Sequence, residues 1–204
     1  MTASRNKTHA GGSGREPVLV DLALQGGGAH GAYTWGVLDR LLEESWLSYD
    51  GISGTSAGAM NATVMAYGLV KGGPSQARIE LENFWKKVSE GALLSPFRRG
   101  PLEILTGQWT LDYCPAFVAA DMAARLFSPY TLNIGGGNPL YDILVDCVDF
   151  SALSNAGPKL FVTATNVRTG RGRVFRNAQM TPEALLASAY LPTMFQAVEI
   201  DGDP

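Results

Sequence analysis

Histidine is scarce in this chain of 204 residues: there are two, His9 and His30. That scarcity leaves little room for a Ser-His-Asp triad, because His9 lies in a polar N-terminal stretch and His30 in a glycine-rich turn. Cysteine is as rare. Cys114 and Cys147 make neither a disulfide framework nor a metal-ligand spacing, so a reducing, cytoplasmic setting is expected and no metal site is indicated. No uninterrupted apolar run reaches the roughly 18 residues that a membrane-spanning helix needs. No basic block occurs either, and the net charge is −3, which argues against a nucleic-acid partner. Residues 1–17 lack the apolar segment of a secretory signal and have the composition of a disordered tail.

What remains is the material of one globular domain, residues 18–204, with 46% hydrophobic residues. Val18 to Leu24 is a nearly continuous apolar run that ends in Gln25 and three glycines, as a buried strand of a parallel sheet does. Gly31 to Glu44 then carries Tyr33, Val37, Leu38, Leu41 and Leu42 at helical spacing. The pattern repeats with a short strand at Tyr49 to Ser53 and an Ala- and Met-rich helix from Ala57 to Val70, stopped by Gly72-Gly73-Pro74. Gln76 to Glu90 reads as an amphipathic helix, with Phe84 and Trp85 (and Trp35 in the earlier helix) expected to pack in the core.

Gly91 to Tyr113 is apolar but aperiodic and carries Arg98-Arg99. It fits either a loop packed on the core or a lid facing lipid. A helix is expected over Pro115 to Phe127, and Asn133 to Pro139 reads as a glycine loop. Lys159 to Thr165 is a strong strand, turning at Thr169 to Gly172 into a hairpin partner through Arg176. Arg168, Arg171, Arg173 and Arg176 flank that hairpin, as a solvated face or an anion site. Pro182 to Tyr190 is a helix with proline in its first turn, and Phe195 to Ile200 a further strand. Strands alternate with helices, so the class is α/β.

Two motifs sit at the ends of the first two strands. Gly54-Thr55-Ser56-Ala57-Gly58 has the spacing of a nucleophile elbow: a tight strand-to-helix bend that exposes a serine hydroxyl at a helix N-terminus. With 13 serines and 24 glycines in the chain, about 0.2 such matches arise by chance, so placement matters more than the pattern. The second motif is Gly26-Gly27-Gly28-Ala29-His30-Gly31, about 25 residues earlier. Its backbone N–H groups can face an oxyanion. A dinucleotide fingerprint is the rival, but the acidic pair Glu43-Glu44 then falls inside a helix and the next strand delivers a serine. For a base, His30 stays open, although a residue opening a helix more often packs or faces solvent; otherwise a carboxylate is the obvious partner for Ser56.

With both motifs placed, the chain resembles the patatin-like phospholipases, serine acyl hydrolases that use a Ser–Asp pair. Leu24 to Tyr33, Ile52 to Ala59, Ala187 to Pro192 and Phe195 to Gly202 carry the resemblance. It implies a mixed, mostly parallel sheet flanked by helices. It implies Ser56 as nucleophile, and Gly26, Gly27 and Gly28 as the oxyanion loop. Phospholipids or other acyl esters are the implied substrates, with peripheral membrane contact and no cofactor. The family's aspartate lies in Asp-Gly-Gly or Asp-Gly-Ala, whereas this sequence has Asp201-Gly202-Asp203. Asp201 then reads as a hairpin residue, and the domain as truncated before that motif. On that expectation the chain alone would not hydrolyse p-nitrophenyl esters, whereas a longer one would. An acyltransferase on a similar fold and a non-catalytic lipid-binding domain are the alternatives.

Overall fold

The computed structural model describes residues 15–92, 104–107, 114–126, 138–154, 157–192 and 195–204. Met1 to Gly14 of the expected tail lie outside these residues, as does most of the expected lid, including Arg98-Arg99.

Four strands form one sheet in the order β1 (Val18–Leu24), β2 (Leu47–Gly54), β3 (Lys159–Thr165), β4 (Gly172–Arg176). β1–β2 and β2–β3 are parallel and β3–β4 is antiparallel. The fold is therefore α/β, with a mixed, mostly parallel sheet and helices packed on it. Leu24, Gly54 and Val162 share a register row, so β1 and β2 end level. The turns that follow them lie side by side, where ligands of parallel sheets bind.

Helix α1 (Gly31–Leu41) follows β1, and α2 (Ala57–Ala92) follows β2. Gly72 and Gly73 leave helical geometry inside α2, so the expected stop at Gly72-Gly73-Pro74 is a sharp break between two arms. The first arm is buried on almost every side from Ala57 to Ala66, as a central helix must be. The second buries Ala77, Glu80, Leu81, Phe84 and Trp85, the i, i+3, i+4 stripe of a helix with one face inward. The arms cross closely: a Cβ added at Gly68 would lie 2.7 Å from the Ala77 nitrogen. Leu38, Ile52, Val64, Leu81, Phe84, Leu144, Leu160 and Val162 form the centre of the core.

Helix α3 (Pro115–Leu126) matches expectation. Helix α4 (Pro139–Cys147) falls where no element was expected. Its signals are local: the Asn138 side chain accepts from Leu140 N–H at 2.9 Å, and Pro139 occupies the first turn. Helix α5 (Pro182–Ala189) is capped by Thr181 in the same way and packs on β3.

The strand expected at Phe195 to Ile200 is corrected. Its backbone groups are used locally instead: Phe195 N–H donates to Leu191 O at 3.0 Å, and Ile200 pairs with Asp203 in a single antiparallel bridge. The Phe195 ring stacks on Tyr190, centroids 4.6 Å apart. The segment folds back on itself rather than adding to the sheet. Asp201-Gly202 is the expected turn.

Candidate active site

Ser56 sits between β2 and α2 with φ +55°, one of two described non-glycine residues in the left-handed region. Its carbonyl accepts the Met60 N–H at 3.1 Å, and Thr55 O accepts the Gly58 N–H at 3.0 Å, so the helix starts at once behind the serine. The positive end of the α2 dipole therefore points at it. The bend is crowded. A Cβ at Gly54 would overlap the Gly58 carbonyl and lie 2.6 Å from Ala59 N, and one at Gly58 would overlap the Leu24 carbonyl and lie 2.8 Å from Gln25 O. No larger residue fits either position with the backbone in place.

The glycine loop lies against this bend. A Cβ at Gly26 would stand 3.1 Å from the Ser56 Cβ. Gly27 and Gly28 have positive φ (152° and 57°) and are exposed. Among the described residues, no hydrogen bond occupies the N–H of Gly26, Gly27 or Gly28. The structure thus brings together Gly26, Gly28 and Ser56, and Gly28 and Ser56 line one cleft of about 280 Å³. The other walls are apolar: Met60, Phe84, Trp85, Val88 and Leu140. An acyl chain matches that lining, and a charged nucleotide does not.

His30 does not turn toward the serine. Its ring Nδ1–H donates to Gly27 O at 3.1 Å, pinning the loop from within. Asp201 gives its carboxylate to Arg173 Nη2 at 2.6 Å, on an exposed hairpin. Among the described residues, no side chain is hydrogen-bonded to the Ser56 hydroxyl. Nor does any group of three or more His, Cys, Asp and Glu side chains among them stand where it could hold a metal ion. No helix among them is long and apolar enough to cross a membrane.

Two residues assigned no role from sequence, Asn61 and Ser188, prove central, together with Trp85. Asn61, fully buried in α2, donates to Gly31 O at 2.9 Å and accepts from Trp85 Nε1 at 2.8 Å. It ties the first turn of α1 to the wall of the cleft. Trp85 has both the packing role expected of it and a place in that wall. Ser188, in α5, accepts the Ser56 backbone N–H at 3.0 Å. A polar residue within an apolar helical run was the available signal for Asn61; nothing local marks Ser188.

The family profile of patatin-like phospholipase matches residues 22–204. The chain belongs to the patatin-like phospholipase family. No curated protein matches it in sequence. Among solved structures it is similar to the heterodimeric ExoU-SpcU complex from the type III secretion system of Pseudomonas aeruginosa. The identity is 26% and the TM-score 0.34, over 82% of this chain and 34% of that one. The chain thus spans about a third of the length of the protein it matches there.

Proposed function

We propose that the domain is a lipid acyl hydrolase that works through a serine acyl-enzyme, with phospholipids or other acyl esters as substrates. The observation that carries this is Ser56 in a left-handed bend at a helix N-terminus, against unoccupied glycine amides and an apolar cleft. An off-rotamer or left-handed residue costs of order 1–3 kcal/mol and is kept where it serves a site.

The Ser56 Oγ attacks the ester carbonyl carbon and gives up its proton, the base implied by the family resemblance being an aspartate carboxylate. The carbonyl oxygen becomes an oxyanion held by the N–H groups of Gly27 and Gly28, each such donor being worth on the order of 3 kcal/mol in a transition state. Collapse of the adduct expels the alcohol, which takes up the proton, and leaves the acyl group on Ser56. Water then attacks the acyl-enzyme by the same route and releases the fatty acid. Asp201, already paired with Arg173, is not assigned as the base. Peripheral contact with a membrane surface fits a substrate whose acyl chain must enter the Met60–Leu140 cleft.

A fluorophosphonate probe tests this. Labelling of the chain that disappears in Ser56→Ala, with an unchanged thermal unfolding transition, is expected. Undiminished labelling of Ser56→Ala would remove Ser56 as nucleophile, and a chain that never labels favours a lipid-binding role. Product analysis with an added acceptor alcohol separates hydrolysis from acyl transfer.

A further inference from the structure

Ser56 is held in a conformation whose N–H its neighbours in sequence do not satisfy. β2 ends at Gly54 and α2 begins at Ala57, so the Ser56 N–H belongs to neither the sheet ladder nor the helix ladder. A part-buried N–H without an acceptor is unfavourable, and a left-handed residue is strained in its own right. Both liabilities meet at the one residue whose side chain must not move.

The acceptor comes from 132 positions away: Ser188 Oγ, 3.0 Å from the Ser56 nitrogen. Its helix is firmly seated. Thr181 Oγ1 accepts the Ala184 N–H at 3.2 Å, and Ala184, Leu185 and Leu186 are buried against β3 and α4. The Tyr190 N–H returns to Leu186 O at 2.8 Å and closes the helix just beyond Ser188. A rigid element thus presents a small acceptor to the back of the elbow, while the Ser56 hydroxyl stays free of side-chain partners among the described residues.

We infer that Ser188 is a positioning residue for Ser56: its hydroxyl oxygen takes the Ser56 amide hydrogen and holds that residue in its left-handed conformation. Ser188 acts by fixing where the Ser56 Oγ stands relative to the Gly27 and Gly28 amides. The inference rests on Ser56 being the nucleophile, but the contact can be measured without any chemistry.

Two measurements on the whole chain separate these points. In the first, hydrogen exchange at the Ser56 amide is followed by NMR. Protection is expected to fall at least about tenfold in Ser188→Ala, to persist in Ser188→Thr, which retains the oxygen, and to be intermediate in Ser188→Cys, whose sulfur is a weak acceptor. In the second, fluorophosphonate labelling is measured against probe concentration. Misplacement of a reacting group by an ångström costs up to about a hundredfold. Ser188→Ala is therefore expected to lose roughly ten- to hundredfold in maximal labelling rate with probe affinity unchanged, and Ser188→Thr to recover most of it.

Unchanged protection in Ser188→Ala overturns the inference, as does full-rate labelling with the wild-type chain labelled at Ser56. A wild-type chain that does not label shows that Ser56 is not activated in it, and the exchange result still decides whether Ser188 holds it. If Ser188→Ala does not fold, the graded series from serine through threonine to cysteine carries the same decision.

Discussion

Two bends leave the same edge of the sheet, and each carries a residue at nearly the same backbone angle. After β1 it is Gly28, with φ +57°; after β2 it is Ser56, with φ +55°. Their surroundings are opposite. Around Gly28 the chain is exposed, and an added Cβ would meet nothing within 4 Å. Around Ser56 the flanking glycines are buried and pressed onto the Leu24 and Gly58 carbonyls. The first bend offers bare amides, so glycine appears for its conformation. On the proposed mechanism the second must present a side chain, so the strain falls on a serine, while glycine appears beside it for want of space.

The largest test of this contrast is at the crowded bend. In Gly58→Ala the new methyl overlaps the Leu24 carbonyl, and relief requires separating β1 from α2. We expect a loss above about 4 kcal/mol, a large part of the roughly 5–15 kcal/mol available to a domain. Urea unfolding followed by circular dichroism would show a sharply lowered or missing transition. Gly36→Ala, at an open position of α1, is the control and should gain about 0.5–1 kcal/mol. A tolerated Gly58→Ala would mean that crowding does not select that glycine.

A middle-sized effect belongs to Asn61, which joins the two bends. Asn61→Ala strands the buried Trp85 indole N–H and takes one donor from the Gly31 carbonyl, the first acceptor of α1. The orphaned N–H costs about 1–3 kcal/mol and the lost bond to the carbonyl about 1 kcal/mol, so a total of about 2–4 kcal/mol is expected. If the bond to Trp85 holds, Asn61→Ala and Trp85→Phe should couple by about 1 kcal/mol in a double-mutant cycle of urea midpoints. Strict additivity would show that the Asn61–Trp85 hydrogen bond contributes nothing to stability.

The parts of this arrangement that were legible in the sequence are those set by nearby residues. An apolar run ending in glycines located β1, and Gly54 and Gly58 around Ser56 located the elbow, because strand propensity and steric demand act within a few positions. The break at Gly72-Gly73-Pro74 was legible for the same reason. Helix α4 was also marked locally, by Asn138 and Pro139, but the glycines before it dominated the pattern. The contacts that fix the site are another matter. Ser56 to Ser188 spans 132 positions and Asn61 to Gly31 spans 30, and no periodicity records which hydroxyl will meet which amide. Phe195 to Ile200 has the composition of a strand yet folds back on Asp203, since strand formation depends on an available partner edge.

The smallest effects make the sharpest comparison, because they exchange the occupants of two equal backbone angles. Gly28→Ala places a Cβ in open space at φ +57°, so its cost is conformational alone, about 1–2 kcal/mol. Ser56→Gly does the reverse at φ +55°. It relieves a strain of similar size and gives back part of it as added freedom in the unfolded chain, for a net gain of about 0.5–1 kcal/mol. Thermal unfolding should therefore move in opposite directions in the two variants. Fluorophosphonate labelling should vanish in Ser56→Gly and survive in Gly28→Ala, which keeps its amide. A Ser56→Gly chain that is less stable than wild type would mean that the left-handed serine is not strained, and the case for a conformation kept for chemistry at that bend would fall with it.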